Sequence, residues 1–206
     1  MTWLWLTWLG CPKPPDDGLA QQLNLEVLAL QEHLRQSQAE LQLCQSGQQT
    51  DNPLYTELKK VLPPDHVDVE REGAVTRLVI SASHLFGDPY KMSWRDEGNP
   101  TVSLLATALQ LNGDTQVLVV GHSSDREIPR GYQKVYESNT DWSARMALAL
   151  ANRLSKEFEL DPARFTIAGR GPYSPRDSND VETGRDRNQR LEIWIYPADA
   201  PVPDPG

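Results

Sequence analysis

The chain has 206 residues, enough for one domain of ordinary size with extra segments, and a formal net charge of -9. With 29 acidic against 20 basic residues and no basic patch, its composition argues against nucleic acid as a partner. Four scattered histidines (His33, His66, His84, His122) and two cysteines offer no metal-ligand spacing, so neither a metal nor a cofactor is expected.

In chain order, the first segment is "MTWLWLTWLGC". This apolar run is too short to cross a bilayer, which takes ~20 residues. With Leu9-Gly10 before Cys11 it resembles a truncated or degenerate lipoprotein signal over residues 1–11. That resemblance implies lipidation of Cys11 and attachment to a membrane. Read without it, the run is a Trp-rich interfacial anchor or a disordered apolar tail. Residues 12–18, "PKPPDDG", form a stiff, extended linker. Residues 19–46 contain no Gly or Pro and predict a long helix. Val27, Leu34 and Leu41 fall at heptad position a, and Leu23, Leu30, Ser37 and Cys44 at d. This pattern fits a coiled coil, with a homodimer through 19–46, and equally a single amphipathic helix lying on its own domain. Residues 47–53 read as a second linker.

From residue 54 the pattern changes. "PLYTELKKVL" is a short amphipathic helix closed by Pro63-Pro64. "HVDVERE" alternates as a half-buried strand, and "AVTRLVISAS" is a β-branched run that predicts a second strand. "GDPYKMSWRDEGNP" reads as irregular, and a helix is predicted over Thr101 to Leu111. "TQVLVVGHSS" is a buried strand, followed by a long polar loop. Ser138 to Leu154 reads as a capped helix, with an apolar row at Trp142, Met146, Leu150, Leu154 and Phe158. "RFTIAGRG" is a strand and turn, "VETGRDRNQR" is helix-like, and "LEIWIYP" is the last strand. The tail, residues 199–206, is too Pro-rich for helix or central strand and reads as disordered. Strands alternating with helices predict an α/β sandwich with its helices on one face of the sheet.

"GHSSD" places His122, Ser123, Ser124 and Asp125 together, which invites a hydrolase reading. No G-x-S-x-G elbow is present, and neighbouring strand residues point to opposite faces. The segment is therefore read as a polar strand end, and the protein as no enzyme.

Four pieces recur in order: "GH" at a strand end, "SN..WSA" opening a helix, "GRGPYSP" after the next strand, and "GRDRNQRLEI" entering the last. Together they closely resemble the OmpA-like C-terminal domain family over residues 54–198. That family includes the peptidoglycan-associated lipoproteins and the periplasmic part of MotB. The long loop before Ser138 is MotB-like, whereas the overall arrangement is like that of the lipoproteins. The resemblance implies a β-α-β-α-β two-layer sandwich with a mixed sheet, on the periplasmic side of the envelope in an outer-membrane lipoprotein. It also implies non-covalent binding of peptidoglycan stem peptides through diaminopimelate. In the family pattern an Asp in G-H-T-D and an Arg in N-x-x-L-S-x-x-R-A grip that zwitterion. Here Ser124 stands in the Asp position and Met146 in the Arg position, while Asp125 and Arg145 lie one residue away. Asn139 fits the helix motif, and Arg185, Asn188 and Arg190 match the family's R-x-x-N-R-R, with Gln189 replacing one Arg. Two functions follow. One is a wall-binding lipoprotein with weakened diaminopimelate anchoring through Ser124, Asp125, Asn139, Arg145, Arg185, Asn188 and Arg190. The other is the same fold used as a protein-interaction or scaffold module without wall binding.

Overall fold

The structure is a computed structural model and describes residues 17–48 and 52–204. In the first stretch, side chains are described only at residues 22–23 and 25–38. Cys11, residues 12–16 of the first linker, the seam side chains Leu41 and Cys44, and residues 49–51 lie outside the described residues. The chain divides into two units, Met1–Gln49 and Thr50–Gly206.

Among its described residues the first unit forms the helix α1 (Asp17–Gln48), which takes in the last two residues of the segment read as a linker. Its seam residues Leu23, Val27, Leu30 and Leu34 are all exposed. Among the described residues, no helix is long and apolar enough to cross a membrane.

The second unit opens with α2 (Pro53–Val61). The Asn52 side chain caps it, accepting from the Tyr55 amide at 3.0 Å. The same side chain donates to Thr76 Oγ1 at 3.0 Å, which ties the helix start to the sheet. Pro63 and Pro64 end the helix as expected, because neither can supply a backbone donor to a further turn. Strands β1 (Val67–Glu72) and β2 (Val75–Ser81) form an antiparallel hairpin. β2 ends two residues before its β-branched run does and starts one residue after it. The chain turns at α3 (Ala82–Leu85) instead, burying Ala82, His84 and Leu85. The segment predicted to be irregular holds a small hairpin, β3 (Phe86–Asp88) and β4 (Ser93–Trp94). Asp88 Oδ1 closes its turn by accepting from the Tyr90 and Lys91 amides.

Helix α4 (Asn99–Leu111) starts two residues earlier than predicted, with Pro100 in its first turn, where a missing N–H costs nothing. Strand β5 (Thr115–His122) leads through the long loop to α5 (Asn139–Glu157). Then come β6 (Phe165–Gly171), α6 (Glu182–Asn188) and β7 (Arg190–Pro197). The five long strands lie in the order β1-β2-β7-β5-β6. β5 and β6 are parallel, and the other pairs are antiparallel. This is the expected two-layer α/β sandwich with a mixed sheet.

Helices α2, α4 and α5 cover one face of the sheet, giving a core that includes Leu58, Leu78, Leu105, Val119, Leu150 and Ile193. The approach of α5 to the sheet is set by glycine. A Cβ at Gly121 of β5 would lie 1.8 Å from the Ser143 carbonyl oxygen, and one at Gly169 of β6 would lie 2.5 Å from that of Thr140. Ser143 locks this contact, donating to Thr140 O at 2.8 Å and accepting from the Gly171 amide at 3.0 Å. The opposite face carries a smaller apolar cluster, Leu118, Val120, Trp194 and Tyr196. Buried His122, Arg190 and Glu192 complete the polar end of that face.

Candidate functional site

Four segments converge at one end of the sheet: the end of β5, the start of α5, helix α6 and the start of β7. Helix α5 begins with a reciprocal cap. Ser138 Oγ accepts from the Asp141 amide at 3.1 Å, and Asp141 Oδ2 accepts from the Glu137 amide at 3.1 Å. The long loop is pinned over this helix start by aromatic rings. Trp142 is fully buried, stacks on Tyr90 at 4.5 Å, and donates from its indole nitrogen to Pro89 O at 3.2 Å. Tyr132 stacks on the other side of the group, 5.2 Å from Tyr90, and its hydroxyl donates to Asp88 Oδ2 at 3.2 Å. Tyr136 donates to Tyr90 O.

The residues in the two family anchor positions are both enclosed. Ser124 is 1 % exposed, and its hydroxyl accepts from Gln189 Nε2 at 3.1 Å. Met146 is 0 % exposed and packs in the main core, in line with its place on the apolar row. Asn139 donates from Nδ2 to Arg126 O at 2.9 Å, so it fastens the loop to the helix start.

The charged neighbours differ in placement. Asp125 Oδ1 accepts from Arg185 Nε at 3.0 Å, and the two side chains are 50 % and 30 % exposed. Arg145 instead pairs with Asp141 at 2.9 Å one helical turn away, with its guanidinium over the Tyr136 ring. That bond is the largest cause holding the Asp141 carboxyl below the usual carboxylate range. On an exposed helix face such a pair is screened by solvent and contributes little to stability.

Asn188 and Arg190 face inward. The Asn188 side chain is fully buried and makes four bonds. Its Oδ1 accepts from the Arg176 and Asp177 amides at 2.7 and 2.9 Å. Its Nδ2 donates to Asp177 O and Asn179 Oδ1 at 2.7 and 2.9 Å. It therefore organises the loop leading into α6. Arg190 is 5 % exposed; it donates to Glu192 Oε1 through Nε and a terminal nitrogen at 2.8 and 2.7 Å, and to Ser174 O at 3.1 Å. Of the seven predicted site residues, the structure thus brings Asp125, Asn139 and Arg185 to one surface, with Ser124 enclosed next to them. Asn188 and Arg190 shape the frame behind it, and Arg145 lies on the helix flank.

Sequence reasoning missed Arg126, Glu182 and Asp186. Arg126, from the long loop, pairs with Glu182 and with Asp186 of α6. Together with Asp125–Arg185 these pairs clamp the loop to α6. The spacing of Glu182, Arg185 and Asp186 on one helical face was the available signal.

No protein-family profile matches the chain. The fold matches a structure described as a MotB-like protein from Desulfovibrio vulgaris, at TM-score 0.65 and 19% identity, covering 77% of this chain and 99% of that one. The cell wall anchor of the T6SS from Pseudomonas aeruginosa is 32% identical, with TM-score 0.60, over 70% of this chain and 96% of that one. The chain belongs to the OmpA-like domain family. Among OmpA-like relatives, Motility protein B of Bacillus subtilis (strain 168) is 28% identical over 123 residues, 60% of this chain. The match spans 46% of that protein, less than half its length.

Proposed function

We propose that the OmpA-like domain, residues 54–198, binds peptidoglycan non-covalently and ties an envelope protein to the wall from the periplasmic side, without catalysing a reaction. The observation that carries this reading is the 32% identity to a cell wall anchor across nearly the whole of that chain. The convergence of the motif segments at the end of β5, the start of α5, α6 and the start of β7 supports it. The ligand chemistry is a stem peptide bearing diaminopimelate, whose ammonium and carboxylate would meet Asp125 and Arg185. Those two side chains engage each other at 3.0 Å and are part exposed, so a zwitterion can exchange into the pair without uncovering a buried charge. Anchoring is weakened relative to members with charges at both family positions, because Ser124 and Met146 carry none.

Co-sedimentation with isolated sacculi tests this. Asp125→Ala with Arg185→Ala should weaken binding roughly ten- to hundred-fold, the range for lost charge-assisted hydrogen bonds. Arg145→Ala should leave it nearly unchanged. Full binding by the double variant would reject the assignment of these residues. Absence of binding by the folded wild type would reject the wall reading. The interaction-module reading would then stand, and the enclosure of Ser124 and Met146 favours it. Met146→Arg is no restoring variant, since it would place an unpaired guanidinium in the core.

The same reading extends to the first unit. Lipidation of Cys11 would fix the chain on a membrane, as in an outer-membrane lipoprotein. Helix α1 would pair with a second copy through the exposed seam of Leu23, Val27, Leu30 and Leu34. Mass spectrometry of envelope-extracted protein should find an acylated Cys11. Non-reducing gels should show a dimer that Cys44→Ser removes, and a monomer by light scattering at high concentration would reject the pairing.

A further inference from the structure

A cavity of about 580 Å³ opens between the turn before β1, helix α3 and the segment after β4. It shares no residue with the Ser124, Asp125, Asn139 and Arg185 surface. One wall is a pair of imidazoles: His66 and His84 stack with centroids 4.3 Å apart and planes 14° from parallel. His84 is buried and bonded through Nε2 to Thr101 Oγ1 at 2.9 Å, so this wall is held in place from behind. Val79 and Arg190 line the same cavity, both buried.

The cavity's remaining charges fall into two groups. Arg176, Arg187 and Arg190 already hold carboxylates: Arg176 pairs with Asp68 and Glu70, Arg187 with Asp177, and Arg190 with Glu192. Arg95, Asp65 and Glu97 make no side-chain hydrogen bond or ion pair among the described residues, yet all three line the cavity. One guanidinium and two carboxylates therefore stand open in the same concave space.

That combination selects among ligands. A polyanion would be held by Arg95 and repelled by Asp65 and Glu97. A simple cation would meet the reverse. A ligand with an ammonium and a carboxylate a few bonds apart satisfies both, the carboxylate by a two-pronged bond to Arg95 and the ammonium as a point charge beside an acid. The flat imidazole pair offers an apolar wall for the aliphatic part between them. The volume lies within the range of small-ligand sites, roughly 300–1,000 Å³. We propose that this cavity binds a small zwitterion, a free amino acid or a short free peptide whose ammonium and carboxylate both reach it. The proposal does not depend on wall binding by the domain.

The test is amide-resolved NMR titration of the full chain with alanyl-alanine at millimolar concentration. Shifts should concentrate at Asp65–Val67, His84 and Arg95–Gly98. N-acetyl-alanyl-alanine and alanyl-alanine amide should each bind at least ten-fold more weakly. Arg95→Gln should abolish the preference for a free carboxylate, and Asp65→Asn with Glu97→Gln the preference for a free amine. Equal shifts from free alanine assign the site to amino acids, and shifts from the dipeptide alone assign it to short free peptides. No shift at these residues in the folded protein overturns the proposal, as does equal binding of acetate or of the N-acetylated dipeptide.

Discussion

Gly121→Ala is expected to abolish the native packing of α5 and cost at least about 3 kcal/mol of stability, in the class of severe overpacking. The new Cβ would lie 1.8 Å from the Ser143 carbonyl oxygen and 2.5 Å from its carbon. Both atoms belong to helix backbone, so no rotamer change relieves the clash. The helix would have to withdraw from β5, and withdrawal breaks the Ser143 bond to the Gly171 amide and opens the core at Met146 and Leu150. Gly113→Ala is the control, because a Cβ there meets nothing within 4 Å, and its effect should stay within about 0.5 kcal/mol. Urea unfolding followed by far-UV circular dichroism reads both. A Gly121→Ala midpoint equal to that of the wild type would mean that α5 does not sit on β5 as described.

A second large effect is expected on acidification. Burial first, then the charges of Arg190, Arg170 and Arg77, push the His122 pKa down to about 3. Glu192 also faces the ring, 3.6 Å from Nε2, but does not offset these effects. In the unfolded chain a histidine titrates near 6.5. Between those values the unfolded state binds a proton that the folded state refuses. Stability is therefore full above about pH 6.5 and falls as the pH drops through the window, by up to roughly 1.4 kcal/mol per pH unit for one such group. At pH 4.5 the loss would be on the order of 2–3 kcal/mol. His84, also held low by burial first, adds in the same direction. Urea midpoints at pH 7.5, 6.5, 5.5 and 4.5 should fall steadily below 6.5, and His122→Gln should remove part of that slope. Midpoints that stay level from pH 7.5 to 4.5 would contradict the burial of a neutral ring.

The long helices and central strands were legible because they carry their period over many residues. The row Trp142, Met146, Leu150, Leu154, Phe158 predicted a core face; the first four are buried, and Phe158, just past the helix end, is half-buried against the core. The β3–β4 hairpin was not legible. Its strands have three and two residues, too few for a periodic signal, and it is held by the stack of Tyr90 on Trp142, 52 positions later in the chain. The short turn at Ala82–Leu85 was hidden for a similar reason. Nothing local stops the β-branched run: the Ala82 amide still bonds to Gln189 O at 2.9 Å, and the chain turns only where Ala82, His84 and Leu85 go into the core. In the candidate site, motif order located the surface. It could not tell which charges face solvent. Asp125 and Arg185 do, whereas Asn188 and Arg190 spend their donors on the loop and on Glu192.

The place of β7 in the sheet has a consequence for how the domain acquires its structure. β7 lies between β2 and β5, pairing Arg190 with Ser81 on one side and with His122 on the other. A chain that has emerged only as far as Asn188 owns two separate ribbons, β1–β2 and β5–β6. Each ribbon presents an open edge, at β2 and at β5, of the kind that recruits strands from other molecules. Pairing Thr76 with Ile195 must also await contact between segments more than a hundred positions apart, which slows the step. Folding is thus one late event in which the last strand made removes both edges at once. Until then both open edges are exposed, and they are where aggregation of the nascent chain would begin.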